Sequence, residues 1–186
     1  MARRLAATAA GLALVLAGCS SGPGAPEADP MLVQHDLDGL DTTQVIDRLD
    51  RLGDDERPTD LTASVRTDEL LLSDGTRELS LELPADRFYL SVAPYADQTH
   101  ECFYHSLTTC HGELGGEDVQ VRIVDDATGE VLLDEARTTF ENGFTGFWLP
   151  RGIDGTITVT HDGRTGEARF STDADGATCV TTLQVV

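Results

Sequence analysis

The stretch Leu70–Leu83, with the sequence LLLSDGTRELSLEL, decides the fold class of this chain. Leucines at 79, 81 and 83 alternate with polar residues, which is the period of a β-strand with one buried face. The Asp74-Gly75 pair between the two leucine-rich runs is a strong signal for a tight turn. Pro84 then ends the second run. The stretch therefore predicts a β-hairpin.

The period of two continues from this hairpin to the C-terminus. Further strands are predicted at 88–94, 119–123, 131–133, 138–140, 144–149, 156–160, 168–171 and 179–186. Turn residues separate them, and the aspartate pairs at 125–126 and 173–175 are interpreted as turns because neither has the spacing of a Ca²⁺ loop. No helical period follows Leu52, so residues 67–186 are predicted to form a β-rich, predominantly antiparallel, β-sandwich-like domain.

One amphipathic helix is predicted before the strands. Asp41-Thr42-Thr43-Gln44 has the spacing of a capping box, and an apolar face follows it. That face consists of Val45, Ile46, Leu49 and Leu52. Gly53 and Pro58 end the helix. Residues 31–66 are thus predicted to be a small helical or dimerisation subdomain, and the fold class is α+β.

The N-terminus has the pattern of a bacterial lipoprotein. Arg3 and Arg4 precede an uncharged apolar run that ends in Leu16-Ala17-Gly18-Cys19, and this run is too short to span a bilayer as a mature helix. We predict a signal peptide over residues 1–18, lipidation of Cys19, and a flexible Gly/Ser/Pro tether over 19–30. The predicted location is extracytoplasmic, with the lipid anchoring the protein to the outer face of a membrane.

The charge of the chain excludes several classes of function. The net charge of −20 becomes −22 when Arg3 and Arg4 are removed with the signal peptide. Phosphate-rich partners repel such a protein, so nucleic acid is not expected to bind. The thirteen basic residues are all arginine, which excludes Schiff-base and P-loop lysines. No G-x-S-x-G elbow is present, so serine hydrolase chemistry is not expected.

The alternation lapses between Tyr95 and Gly112, and a long irregular segment inside a β domain is usually functional. Within it, residues 100–111 read HECFYHSLTTCH and hold two of the four cysteines and three of the five histidines. Once Cys19 carries lipid, Cys102, Cys110 and Cys179 remain outside the cytoplasm. An odd number of thiols does not form a simple set of disulfides.

Three interpretations of these thiols follow from the residues alone. Cys102 and Cys110 form a structural disulfide that closes the loop, or the three thiols bind a metal, or one of them is catalytic. A pair that cycles between disulfide and dithiol combines the first two. The paired spacings of a closed zinc site are missing, whereas three sulfurs suit the low coordination number of Cu(I). A CxxC motif is also missing, which disfavours a thioredoxin-like site.

The histidines add candidate metal ligands. His105 is the favoured one, because its spacing of three from Cys102 permits a turn that brings both groups inward. His100 and His111 are interpreted as bystanders. His35 and His161 are predicted to be surface residues.

Several blocks of the sequence resemble the CueP family of extracytoplasmic copper-binding proteins. The most specific is THECFYHSLTTC at 99–110, preceded by FYLSVAPY at 88–95. Weaker blocks lie at 142–144, 146–150, 170–172, 178–179 and 181–184. The likeness extends from about Leu37 to the C-terminus.

The resemblance implies a periplasmic-type copper protein with an N-terminal domain, a β-rich C-terminal domain and a homodimer. It implies that Cys102, Cys110 and Cys179 are the shared cysteines, with roles in copper resistance, delivery to a cuproenzyme and reduction of Cu(II). The lipobox at Cys19 departs from a freely soluble periplasmic form.

Three hypotheses result. In the first, the protein holds Cu(I) through the three thiolates, with His105 as an auxiliary ligand. In the second, the thiols reduce Cu(II) or exchange with protein disulfides, and a Cys102–Cys110 disulfide is the oxidised product. In the third, the protein is a disulfide-stapled structural lipoprotein without metal.

Overall fold

The computed structural model of the protein describes residues 29–186. The predicted signal peptide, the predicted lipidation site Cys19 and the predicted tether as far as residue 28 lie outside the described residues. Within residues 29–186, no helix combines the length and the apolar character needed to cross a membrane.

Two short helices open the described chain. Helix α1 spans Pro30–Gln34 and was not predicted, and helix α2 spans Thr42–Asp50. The capping box at Asp41 is confirmed, because its side chain accepts from the Gln44 amide at 2.9 Å while Gln44 Oε1 accepts from the Asp41 amide at 2.9 Å. A 3₁₀ turn over Asp54–Glu56 follows. The predicted helix and its N-terminal cap are therefore present.

Ten strands follow in the described residues, most of them near their predicted positions. They are β1 Thr62–Val65, β2 Glu69–Ser73, β3 Glu78–Glu82, β4 Arg87–Val92, β5 Asp118–Asp125, β6 Val131–Thr138, β7 Thr145–Pro150, β8 Asp154–His161, β9 Arg164–Ser171 and β10 Cys179–Val180. The hairpin at Asp74-Gly75 is confirmed as the β2–β3 connection, with Ser73 opposite Glu78.

The strands form three sheets, with orders β1-β2-β3, β10-β4-β7 and β6-β5-β8-β9. Every pairing is antiparallel except that of β10 with β4, which is parallel. The predicted α+β class with a predominantly antiparallel β domain is confirmed.

Three details of the strands differ from the prediction. Strand β1 was missed because it is only four residues long. The strand predicted at 131–133 extends to Thr138 as β6, which includes only the first residue of the strand predicted at 138–140. Strand β6 lies at a sheet edge with both faces largely exposed and therefore lacks apolar alternation. The predicted last strand, 179–186, is only two residues long, as β10. Further along the chain, a single isolated β-bridge joins Gln184 to Tyr95, which follows β4.

The central sheet β10-β4-β7 is covered on both faces. Phe88, Leu90 and Val92 of β4 pack into a core shared with the four-stranded sheet. Tyr89, between them in sequence, points to the opposite face and packs with α2 and the first sheet. Because successive side chains of a strand alternate between faces, β4 connects both cores. The segment after β4 therefore starts from a strand that contributes to both cores.

Candidate metal centre

The irregular segment after β4 is fixed by backbone hydrogen bonds to distant parts of the chain. Val65 of β1 donates to the His105 carbonyl at 2.8 Å, and Leu107 donates back to the Ala63 carbonyl at 2.8 Å. On the other side, Thr178 donates to the Phe103 carbonyl at 3.0 Å. The segment therefore bridges β1 and the start of β10, although it has no regular secondary structure of its own.

All three cysteines of the described residues lie together at this bridge. Cys102 forms a disulfide with Cys179, and Cys110 is the unpaired cysteine, with its Sγ 3.6 Å from Cys102 Sγ. The Cys102–Cys110 disulfide considered from the sequence is therefore wrong for this structure. The reason is the parallel pairing of β10, whose Cys179 lies beside Ser91 of β4 and so beside the irregular segment.

His105 lies at the buried end of the sulfur group. Its side chain is completely buried, and its Nδ1 is 3.8 Å from Cys179 Sγ. His105, Cys110 and Cys179 each offer a ligand atom, and these three atoms lie within 4.8 Å of one another. The favoured histidine is therefore next to the sulfurs of Cys110 and Cys179.

Asp50, which was not predicted from the sequence, contacts the His105 imidazole on the side away from the sulfurs. Asp50, the last residue of α2, is fully buried, and its Oδ1 lies 2.6 Å from His105 Nε2. The Tyr89 hydroxyl donates to the same carboxylate. Tyr89 packs closely over Gly146, and a side chain at position 146 would collide with it. One signal was readable: Asp50 follows Ile46 by four residues, so it places a carboxylate on the apolar face of the helix.

The buried pair of Asp50 and His105 sets the protonation of the site. Burial by itself lowers the pKa of His105, but the charge and hydrogen bond of Asp50, together with those of Cys110, outweigh it and raise that pKa to about 9. At neutral pH the ring is therefore protonated on both nitrogens, with Nε2 facing Asp50 and Nδ1 facing the sulfurs, and Nδ1 must lose its proton before it can bind a metal. A carboxylate behind a ligand histidine is the usual way that proteins orient it.

The Cys110 thiol is shifted towards its thiolate. Burial raises the pKa of Cys110, but the hydrogen bond and charge of His105, the Ser106 amide and the Arg57 guanidinium together lower it below its ordinary value. Arg57 also fixes this residue, since its Nη1 donates to the Cys110 carbonyl at 2.7 Å. Thiolates are the form of cysteine that binds metals.

The remaining histidines divide into two groups. His100 is exposed, and its ligand atom lies within 4.8 Å of those of Cys102 and Cys110. Two metal-type groups thus exist in the described residues, an outer one of His100, Cys102 and Cys110 and an inner one of His105, Cys110 and Cys179. His111 is exposed and lies outside both, with its Nδ1 3.2 Å from Asp54 Oδ2. The prediction that His35 and His161 are surface residues is wrong, because only 8% of each side chain is exposed. His161 ends β8 on its inward face, while His35 caps α1.

A β-rich scaffold that gathers three sulfurs and a buried imidazole presents the ligand types that copper and zinc prefer. The family model described as "Periplasmic copper-binding protein CueP" matches residues 44–184. The chain belongs to the CueP family of periplasmic copper-binding proteins, which confirms the resemblance noted from its sequence blocks.

A solved structure agrees with this membership. The structure described as "Crystal Structure of S.CueP" is 38% identical, with a TM-score of 0.80, and the match covers 89% of this chain and 100% of that chain. Among curated proteins, none matches this chain.

Proposed function

We propose that the reduced protein holds Cu(I) through the thiolates of Cys102, Cys110 and Cys179, with Nδ1 of His105 as an auxiliary ligand. The observation that carries this proposal is the compact group of these atoms at one point of the fold, with Cys102 Sγ and Cys110 Sγ 3.6 Å apart. Copper is the cargo of the protein, which acts outside the cytoplasm.

The donor set suits Cu(I) better than other common metals. Thiolates are soft ligands that select Cu(I), zinc or iron–sulfur clusters, and imidazole suits copper and zinc. The sulfurs come from one irregular segment and one distant strand, without the paired CxxC spacings typical of structural zinc sites. Family membership favours copper among the metals that remain.

Copper binding by all three sulfurs requires the dithiol form of the protein. In the disulfide form, Cys102 and Cys179 are bonded to each other and Cys110 is the remaining thiol. Reduction adds two electrons and two protons to this pair, and each thiol then loses its proton on binding metal. The oxidation state of one disulfide therefore controls whether the site has one sulfur ligand or three.

We expect the reduced full chain, carrying Cys19→Ser, to bind Cu(I) at least about 100-fold more tightly than the same chain with its disulfide intact, because two ligands are unavailable in the latter. Anaerobic competition with a colorimetric Cu(I) chelator measures both affinities, and intact mass verifies each redox form. Equal affinities would contradict the three-sulfur site, and no uptake by either form would favour the structural lipoprotein.

The location and partners of the protein complete the proposal. We propose that lipid on Cys19 anchors it to the outer face of a bacterial membrane, that residues 31–66 support a homodimer, and that the protein contributes to copper resistance by passing Cu(I) to a cuproenzyme. The lipobox and the following Gly/Ser/Pro run support the anchor.

A second function is favoured by the disulfide itself. The reduced protein can convert Cu(II) to Cu(I): Cys102 and Cys179 thiolates each give up one electron, two Cu(II) ions become two Cu(I) ions, and one S–S bond forms. The oxidised product is then Cys102–Cys179, in place of the Cys102–Cys110 product expected from the sequence.

We expect two equivalents of Cu(II), added anaerobically to the reduced chain with Cys19→Ser, to yield two equivalents of Cu(I) and a disulfide. A Cu(I)-specific chelator measures the first product, and peptide mapping under non-reducing conditions identifies the linked cysteines. Loss of thiols without Cu(I), or Cu(I) without loss of thiols, would count against this stoichiometry.

A further inference from the structure

The ligands that the proposed copper site uses are unequally accessible. His105 is fully buried and Cys179 is 3% exposed, whereas Cys102 and Cys110 are partly exposed. A copper ion that arrives from solvent or from another protein therefore cannot meet His105 or Cys179 first. It first meets the sulfurs of Cys102 and Cys110, together with any ligand-type side chain on their solvent side.

That outer ligand is His100. Its side chain is exposed, and its ligand atom lies within 4.8 Å of those of Cys102 and Cys110. Two surface cavities, of about 630 and about 260 Å³, are both lined by His100, and the larger one is also lined by Cys102. An incoming copper carrier thus has open space directly in front of this group.

We propose that His100, Cys102 and Cys110 form an outer docking site for Cu(I), from which the ion moves to the buried site by ligand exchange. The proposal rests on the proposed function of the same sulfurs as Cu(I) ligands. Cys110 belongs to both groups, outer with His100 and inner with His105 and Cys179. The ion therefore never has to leave sulfur as it moves inward.

The exchange involves no change of oxidation state. Cu(I) first binds the outer imidazole and the two outer thiolates. The Cu–N bond to His100 then breaks, while bonds form to Cys179 Sγ and His105 Nδ1. Cys179 gives its thiol proton, and His105 its Nδ1 proton, to solvent. Copper remains Cu(I), and the outer imidazole becomes available for the next ion.

The aromatic ring of Phe144 supports this route. It is fully buried and packs against both imidazoles, with ring centroids 4.5 Å from His105 and 6.3 Å from His100. Both histidines therefore adjoin the same buried ring.

The chain offers a matched control for the test. His111 is an exposed histidine of the same segment, but it faces Asp54 and lies outside both groups. His100→Ala, His111→Ala and His105→Ala are compared in the reduced full chain with Cys19→Ser. Cu(I) is presented as its bicinchoninate complex, and stopped-flow absorbance gives the transfer rate while competition at equilibrium gives the affinity.

His100→Ala is expected to slow transfer about tenfold, because one of three docking ligands is lost, while changing the affinity less than about threefold. His111→Ala should change neither quantity, and His105→Ala should lower the affinity. A His100→Ala rate equal to that of His111→Ala would overturn the docking site. So would a loss of affinity in His100→Ala as large as in His105→Ala, since His100 would then be a permanent ligand.

These outcomes are distinct from a failure of the proposed function. If the unsubstituted chain takes no copper from the chelator, the three-sulfur site itself is wrong, and the docking site falls with it. If the unsubstituted chain loads copper and its affinity depends on Cys179, the proposed function holds whichever rate His100→Ala gives.

Discussion

Reduced protein with Cys110→Ser is expected to bind Cu(I) at least about 100-fold more weakly than the unsubstituted chain, because a soft thiolate is replaced by a hydroxyl with little affinity for Cu(I). Cys110 is the sulfur with the lowered pKa and the one present in both metal-type groups. Cys102 is also a ligand in both proposed sites, but its substitution would remove the disulfide as well.

This variant separates binding from folding. Cys110 is outside the disulfide, and serine is close to cysteine in size, so the oxidised variant can still form the Cys102–Cys179 link and the reduced variant keeps the packing around these residues. Anaerobic competition with a Cu(I) chelator measures the affinity, and thermal unfolding verifies the fold. The control is Ser106→Ala, in the same segment and without a metal ligand.

Cys179→Ser provides the independent comparison, since this sulfur comes from β10 and not from the segment that holds Cys110. A three-sulfur site requires both variants to lose affinity. Unchanged affinity in either one would contradict it.

Asp50→Asn is expected to lower the free energy of unfolding by about 3 kcal/mol near pH 6, because it removes the only carboxylate that contacts buried His105 in the described chain. The carboxylate also accepts from the Tyr89 hydroxyl, so a second buried donor loses a charged partner. The metal-free disulfide form is the sample of choice, since its link is retained in both proteins. Thermal or denaturant unfolding across a pH series measures the effect.

The sign of the pH dependence follows from the raised pKa of His105. Its ordinary value is 6.5 and its folded value is about 9, so folding favours the protonated form. The resulting stabilisation is fully present below pH 6.5 and disappears as the pH rises through about 9. The difference between the unsubstituted chain and Asp50→Asn should therefore be largest in mild acid and shrink in alkali.

Asp47→Asn is the matched control for this experiment. Asp47 lies on the same helix, and its carboxylate accepts from the Trp148 indole at 3.0 Å without touching a histidine. Asp47→Asn should lower the free energy of unfolding by about 1 kcal/mol or less, and this loss should not change with pH in the same range. A loss in Asp50→Asn that is equal to that of Asp47→Asn, or that is constant with pH, would contradict a charged pair of Asp50 and His105.

Local patterns in the sequence were sufficient for most of the secondary structure. The capping box at Asp41 and the Asp74-Gly75 turn act through neighbouring residues, so they form wherever those residues occur. The alternation of Val119, Val121 and Ile123 placed β5 because one face of that strand is buried. The full length of strand β6 was not predicted, because an exposed edge strand needs no apolar alternation.

The candidate site was predicted in its residue types but not in its partners. The sequence identified Cys102, Cys110, Cys179 and His105 as the ligand-type residues, and the structure brings their ligand atoms together. It did not identify Asp50, whose role depends on where α2 packs against β4.

The sequence by itself determined the β-rich fold class, the odd number of thiols outside the predicted lipidation site and the CueP-type block that holds two of them. Only the tertiary structure decided that Cys102 pairs with Cys179, 77 residues away, and that His105 meets Asp50, 55 residues away. Spacing along a chain limits which neighbouring residues can meet. Contacts over such distances are set instead by the parallel register of β10 on β4 and by the packing of α2 against the central sheet.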